Sequence, residues 1–303
     1  MTTTPSAQSR GLEYALLGLL ALLWGSSYLF LKVAVAEIPP ITLIALRVSV
    51  AALLLNCVLI GSGQSLPRDR TTWYHLLVQS FFNSIGAWTI LAWGQQYVDS
   101  GLASVLNSTS PIFVFLFTYF VTRHETLSSL KLFGALLGLA GVVLIVGTDA
   151  LAGLGTHVVG QLAALLGAVL YACAAIYGKR LAHVSATATA TGAMIWAVVF
   201  LVPASLLLEQ PWTLPMPSGK ALAAAAILSI FCTAGALLIY FRLIQTLGSL
   251  GVASQAYLRA GVGVVLGMVF LGEQINLIIG VGLIAAILGV AAINAPQRAK
   301  KSA

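Results

Sequence analysis

The sequence predicts an all-α integral membrane protein: ten transmembrane helices, as two inverted five-helix repeats around a central cavity. Three observations carry that expectation. Hydrophobic residues fill 59% of the 303 positions and charged residues only 8%, with a mean hydropathy of +1.00, whereas soluble domains are about a quarter charged. Ten apolar runs are each near the roughly twenty residues that a bilayer crossing takes. A residue pattern also recurs at a shift of 148 positions.

In order, the runs are Leu12–Leu31, Ile41–Gly61, His75–Gln96, Leu102–Val121, Leu130–Gly147, Val158–Gly178, Thr187–Leu208, Ala221–Phe241, Val252–Leu271 and Ile275–Asn294. Helix is expected throughout, because lipid offers backbone groups no partners and the runs lack the apolar/polar alternation of barrel strands. The first run is long for a cleaved leader and lacks a clear small-residue cleavage site, so it reads as a retained span. Pro211 to Pro217, with three prolines and Trp212, reads as a stiff outer loop.

The net charge of +7 reports topology. Arg10, Arg68, Arg70, Arg123, Lys131, Lys179, Arg180, Arg242, Arg298, Lys300 and Lys301 fall on one side, against Lys32 and Lys220 on the other. The positive-inside rule places both termini in the cytoplasm and leaves no call for a nucleic-acid partner. Cys57, Cys173 and Cys232 all lie within spans and read as small apolar residues.

The 148-residue shift carries Glu125, Gly134 and Gly141 onto Glu273, Gly282 and Gly289, and aligns the segment from Trp24 to Lys32 with that from Tyr171 to Lys179. Each half, 11–147 and 158–294, then holds five spans, with residues 148–157 as the linker. Five is odd, so the second half enters from the opposite side, the inverted architecture of many secondary transporters. Trp24, Gly25, Ser26 and Ser27, then Pro40 with Arg47, Ala103 with Pro111, and Gly267 with Leu271 to Glu273 resemble the drug/metabolite transporter superfamily, EamA type. The resemblance covers nearly the whole chain. It departs at Ala260, where the family usually has a proline. It implies a central cavity lined from both repeats and export of amino acids or related metabolites, as in the aromatic amino acid exporter branch.

Two charges lie at membrane depth. Arg259 is seven residues into its span, about 10 Å at 1.5 Å per residue, and Arg47 lies seven residues after Pro40. Each must face protein or water. Arg47 suits snorkelling toward the outer headgroups or pairing with helix-end carbonyls. Arg259 follows Gln255 by one turn and suits either carbonyl bonding or a two-pronged grip on a substrate carboxylate. Gln79 and Asn83 share a face expected to continue through Gly86 and Ile90 to Trp93, while Ser104, Asn107, Ser108 and Pro111 share another. Tyr240 supplies an aromatic wall. The expected substrate-binding set is therefore Gln79, Asn83, Trp93, Asn107, Ser108, Tyr240, Gln255 and Arg259, on spans three, four, eight and nine. Helix–helix hydrogen bonding is the competing use of such residues.

All eight acids and all four histidines map to span ends or loops, so no buried relay for protons is expected. No nucleotide-binding loop, paired-cysteine motif or metalloprotease motif is present, and neither cofactor, metal nor catalytic residue is expected. The expected function is a secondary transporter, not an enzyme. It would move small metabolites, neutral or aromatic amino acids first, outward across a bacterial inner membrane by facilitated or exchange transport. A channel, a membrane scaffold, or an exporter of organic cations, drugs or sugar phosphates remain alternatives. Gly134 and Gly138, one turn apart, suit either a homodimer face or an internal contact.

Overall fold

A computed structural model of the chain describes residues 7–94, 97, 105–123, 128–146, 157–259, 261–262 and 277–295. All regular structure among them is helical. The helices are α1 (Ala7–Val35), α2 (Pro40–Gly61), α3 (Arg70–Gly94), α4 (Val105–Thr122), α5 (Ser129–Val146), α6 (Val158–Tyr177), α7 (Ala186–Leu208), α8 (Gly219–Thr246), the start of α9 (Gly248–Ala253 and 255–259) and α10 (Leu277–Asn294). Eight described helices are long and apolar enough to cross a membrane, and Ser129–Ile145 is a shorter apolar helix. Half of the ninth expected span lies outside the described residues, as do Ser104, Glu125, Ala260, Gly263, Gly267 and Glu273.

The helix starts are written locally. Asp69 accepts the Thr72 N–H at 2.7 Å, and Ser185 and Ser218 accept those of Ala188 and Ala221, each satisfying a first-turn donor. Helix α2 opens with Pro40, whose missing N–H costs nothing there. Its next two donors, Ile41 and Thr42, reach the Glu209 carboxylate at the end of α7, at 3.0 and 2.6 Å.

Contacts between loops sort the chain into two ends. At one, Glu37 accepts the Ser218 backbone N–H and hydroxyl, near the Glu209 cap of α2. At the other, Ser185 donates to Gln64, Gln245 to the Val184 carbonyl, and Arg242 pairs with Glu13 at 2.9 Å. Tyr14 donates to the Asn294 carbonyl at that same end.

Helices α5 and α10 meet backbone to backbone. Gly134 lies against Gly289, and Gly141 against Gly282; a Cβ on Gly141 would fall 2.5 Å from the Ala286 nitrogen and 2.6 Å from the Gly282 oxygen. Gly138 lies under the Tyr257 ring, whose hydroxyl donates to the Ala135 carbonyl at 2.8 Å. The closely spaced glycines thus serve an internal contact.

Two long helices change register near their middles. α3 carries a π-helical turn at Phe81–Ile85 and α8 one at Ile230–Gly235, positions about 148 residues apart. α4 is interrupted at residues 108–109, and its helix resumes at Ser110–Phe117 with Pro111 in its first turn. That break ends the continuous face expected for Asn107, Ser108 and Pro111, because a proline settles most readily where no N–H is required.

Candidate functional site

A central cavity of about 50 Å³ is lined by Trp24, Ser27 and Leu31 of α1, Ile44 and Arg47 of α2, Trp88, Leu91 and Ala92 of α3, Tyr171 of α6 and Arg259 of α9. No described residue of spans four and eight, expected as walls, lines it. Span eight supports it from behind.

That support comes from the π-turn of α8, where the backbone leaves the regular ladder and its polar groups become available to outside partners. The Cys232 carbonyl accepts the Trp24 indole N–H at 3.1 Å and an Arg47 N–H at 3.3 Å. The Thr233 hydroxyl accepts the Arg47 Nε–H at 2.5 Å and donates to the Leu228 carbonyl at 2.7 Å. Arg47, only 7% exposed, also lies over the Trp88 ring, its Cζ 4.2 Å from the centroid. Arg259 stands over the Trp24 ring at 5.8 Å and makes no hydrogen bond or ion pair with any described residue. Trp24 in turn packs on Tyr240 at 5.3 Å. A continuous chain therefore runs from Arg259 to Trp24, the Cys232 carbonyl, Arg47 and Trp88.

The described acids are engaged elsewhere. Glu13 binds Arg242 and Thr246, Glu37 binds Ser218, Asp69 caps α3 and Glu209 caps α2. None touches either cavity guanidinium. Among the described residues no three of His, Cys, Asp and Glu gather as metal ligands.

The expected binding residues divide into three groups. Arg259 lines the cavity, and Tyr240 backs its Trp24 wall. Gln79, Asn83, Asn107, Ser108 and Gln255 are all buried without lining it. Both amide atoms of Gln79 and of Asn83, and the side-chain oxygen of Gln255, lack a partner among the described residues, as do the hydroxyls of Ser80, Ser84 and Thr189. Gln79 lies beside Gly178, and Ser108 reaches the carbonyl of Ala256, its own counterpart at the 148-residue shift, at 3.4 Å. Trp93 is 39% exposed and faces a separate lateral groove of about 550 Å³ with Ile85, Thr89 and Ile90. The π-turn of α3 explains the division. One extra residue per turn rotates everything beyond Ile85 relative to Gln79 and Asn83, so the face drawn from Gln79 to Trp93 is cut in two. Sequence reasoning passed over Arg47, Trp24, Trp88 and Tyr171 as site residues. For Arg47 the available signal was its depth without any acid near it in sequence.

Residues 12–147 and 158–295 each match the EamA-like transporter family. The chain belongs to that family. An uncharacterized transporter of Bacillus subtilis, YvbV, is 28% identical over 95% of this chain and 93% of its own length. The uncharacterized inner membrane transporter YedA of Escherichia coli K12 is 27% identical over 85% of this chain and 82% of its own. A crystal structure shares the fold, with a TM-score of 0.77 at 20% identity, covering 92% of this chain and 97% of that one. The protein is a multi-pass membrane transporter of the EamA family and not an enzyme.

Proposed function

We propose that the protein is a secondary transporter that carries small carboxylate-bearing metabolites, the class containing neutral and aromatic amino acids, outward across a bacterial inner membrane by alternating access. The observation that carries this reading is the cavity itself: two guanidiniums from different halves of the chain, held on tryptophan rings, with no described carboxylate to neutralise them. A guanidinium is suited to a carboxylate through parallel hydrogen bonds. Its burial here is costly unless a ligand or water meets it.

Architecture supports the mechanism. Gly134 meets the counterpart of Gly141, and Gly141 meets the counterpart of Gly134. Such mutual contact is what a two-fold relation produces. The antiparallel run of α5 and α10 supports an axis in the membrane plane, the relation inverted repeats have. With both termini on the basic, cytoplasmic side, the Glu37–Ser218 contact belongs to the outer end and the Glu13–Arg242 pair to the inner one. The described acids all serve the ends of helices, so exchange or facilitated movement needs no buried carboxylate relay.

Counterflow in proteoliposomes tests the reading. Labelled amino acids should exchange, cationic dyes should not, and Arg259→Ala and Asn83→Ala should lose flux while expression and folding hold. Uphill accumulation driven by a pH gradient alone would contradict facilitated or exchange transport.

A further inference from the structure

We infer that the cavity selects its solute by net charge, favouring small organic anions that carry a carboxylate and no ammonium group over the corresponding zwitterionic amino acids. This rests on the cavity being the solute site. Its lining holds two fixed cations, Arg47 and Arg259, and each described acid is committed at a helix end. The other four acids, Asp99, Glu125, Asp149 and Glu273, lie at span ends or in loops of the sequence.

An amino acid brings one negative group and one positive group into this space. Its carboxylate finds guanidinium donors. Its ammonium needs either an acid or an open aromatic face; each indole of the lining already has a guanidinium against it, Trp88 beneath Arg47 and Trp24 beneath Arg259, and the third ring, Tyr171, shares the cavity with both cations. The hydroxyl hydrogen of Ser27 is turned to the Trp24 carbonyl at 2.7 Å, so Ser27 offers one neutral acceptor. A cleft lined by charge of one sign concentrates ligands of the other sign and repels its own. The carboxylate end of both solute types is served alike, so the ammonium decides between them.

Matched pairs isolate that group. Phenylpyruvate against phenylalanine, the branched keto acid of leucine against leucine, and 2-oxoglutarate against glutamate differ only in carbonyl versus ammonium at the α-carbon. Phenethylamine adds the ammonium without the carboxylate. Equilibrium binding of labelled compounds to the full chain in lipid nanodiscs should show at least one keto acid bound tenfold or more tighter than its amino acid, and no displacement by phenethylamine. Arg259→Gln should weaken keto-acid binding at least tenfold and narrow the keto/amino ratio, whereas a purely structural loss would lower both equally. An amino acid bound as tightly as its keto acid, displacement by phenethylamine, an unchanged ratio in Arg259→Gln, or no binding by any keto acid would each overturn the inference. Binding is read without flux. Keto-acid binding in a protein that shows no counterflow would therefore sink the carrier reading while leaving the charge selection in place.

Discussion

The two π-turns of α3 and α8 sit at corresponding points of the two halves, yet their polar groups meet opposite fates. In α8 the freed groups are used: the Cys232 carbonyl takes two donors, and the Thr233 hydroxyl both accepts from Arg47 and donates to the Leu228 carbonyl. In α3 the side chains of Ser80, Asn83 and Ser84 are fully buried, and their polar atoms find no partner among the described residues. The first turn is a finished joint that sets the position of a cavity cation. The second holds donors and acceptors in reserve, at a stability cost that buried unpaired groups always carry. The difference teaches that one π-turn is spent on positioning a cavity cation, while the other keeps polar groups for water, solute or another conformation.

Three substitutions test that contrast. Arg47→Met removes the guanidinium while keeping much of its length. Counterflow should fall to background, and unfolding in detergent should cost about 1–3 kcal/mol less; flux near wild type would remove Arg47 from the site. Thr233→Val leaves the Arg47 Nε–H without its acceptor. It should lower stability by about 2–3 kcal/mol, the range for a charged group losing a buried partner, read as a drop in Tm. Asn83→Leu, with the same number and branching of side-chain heavy atoms, deletes two unpaired groups of the other turn. Its Tm should be unchanged or raised, by roughly 1 kcal/mol at most, while counterflow falls tenfold or more. A marked loss of Tm there would mean the amide is already satisfied in the resting protein, and the contrast between the turns would collapse.

Asp69→Asn, outside both turns, gives the smallest effect and a pH signature. The Thr72 hydroxyl and backbone N–H hold the Asp69 carboxyl below the usual carboxylate range. A lowered folded value means the stabilisation is complete above the unfolded pKa of about 4 and fades as pH falls through the folded value. The variant should therefore melt slightly below wild type at neutral pH and match it in strong acid. A gap that persists in acid would assign the cap to shape instead of charge.

Much of this architecture was legible from residues alone, for physical reasons that differ by element. The spans were legible because lipid leaves a backbone no alternative to helix, and Glu125, Gly134 and Gly141 announced the duplication because close helix approach tolerates only small residues. Arg259 stood out because charge at depth is rare. The pairing of Arg47 with Cys232 and Thr233 was not legible, since nothing in the run from Ile230 to Gly235 marks where its ladder will slip. The same blindness at Phe81–Ile85 drew Gln79, Asn83 and Trp93 on one face, which the structure divides. A register change is decided by what neighbouring helices offer the freed groups, and periodicity counted along one helix cannot see those neighbours.

The glycine seam between α5 and α10 has a practical consequence for anyone measuring motion in this protein. No side chain separates the two backbones at Gly134, Gly141, Gly282 and Gly289, so neither helix can slide without collision. That pair is the natural fiducial: spin or fluorescent labels placed on it and on α3 would turn each opening or closing into a change in length against a fixed ruler.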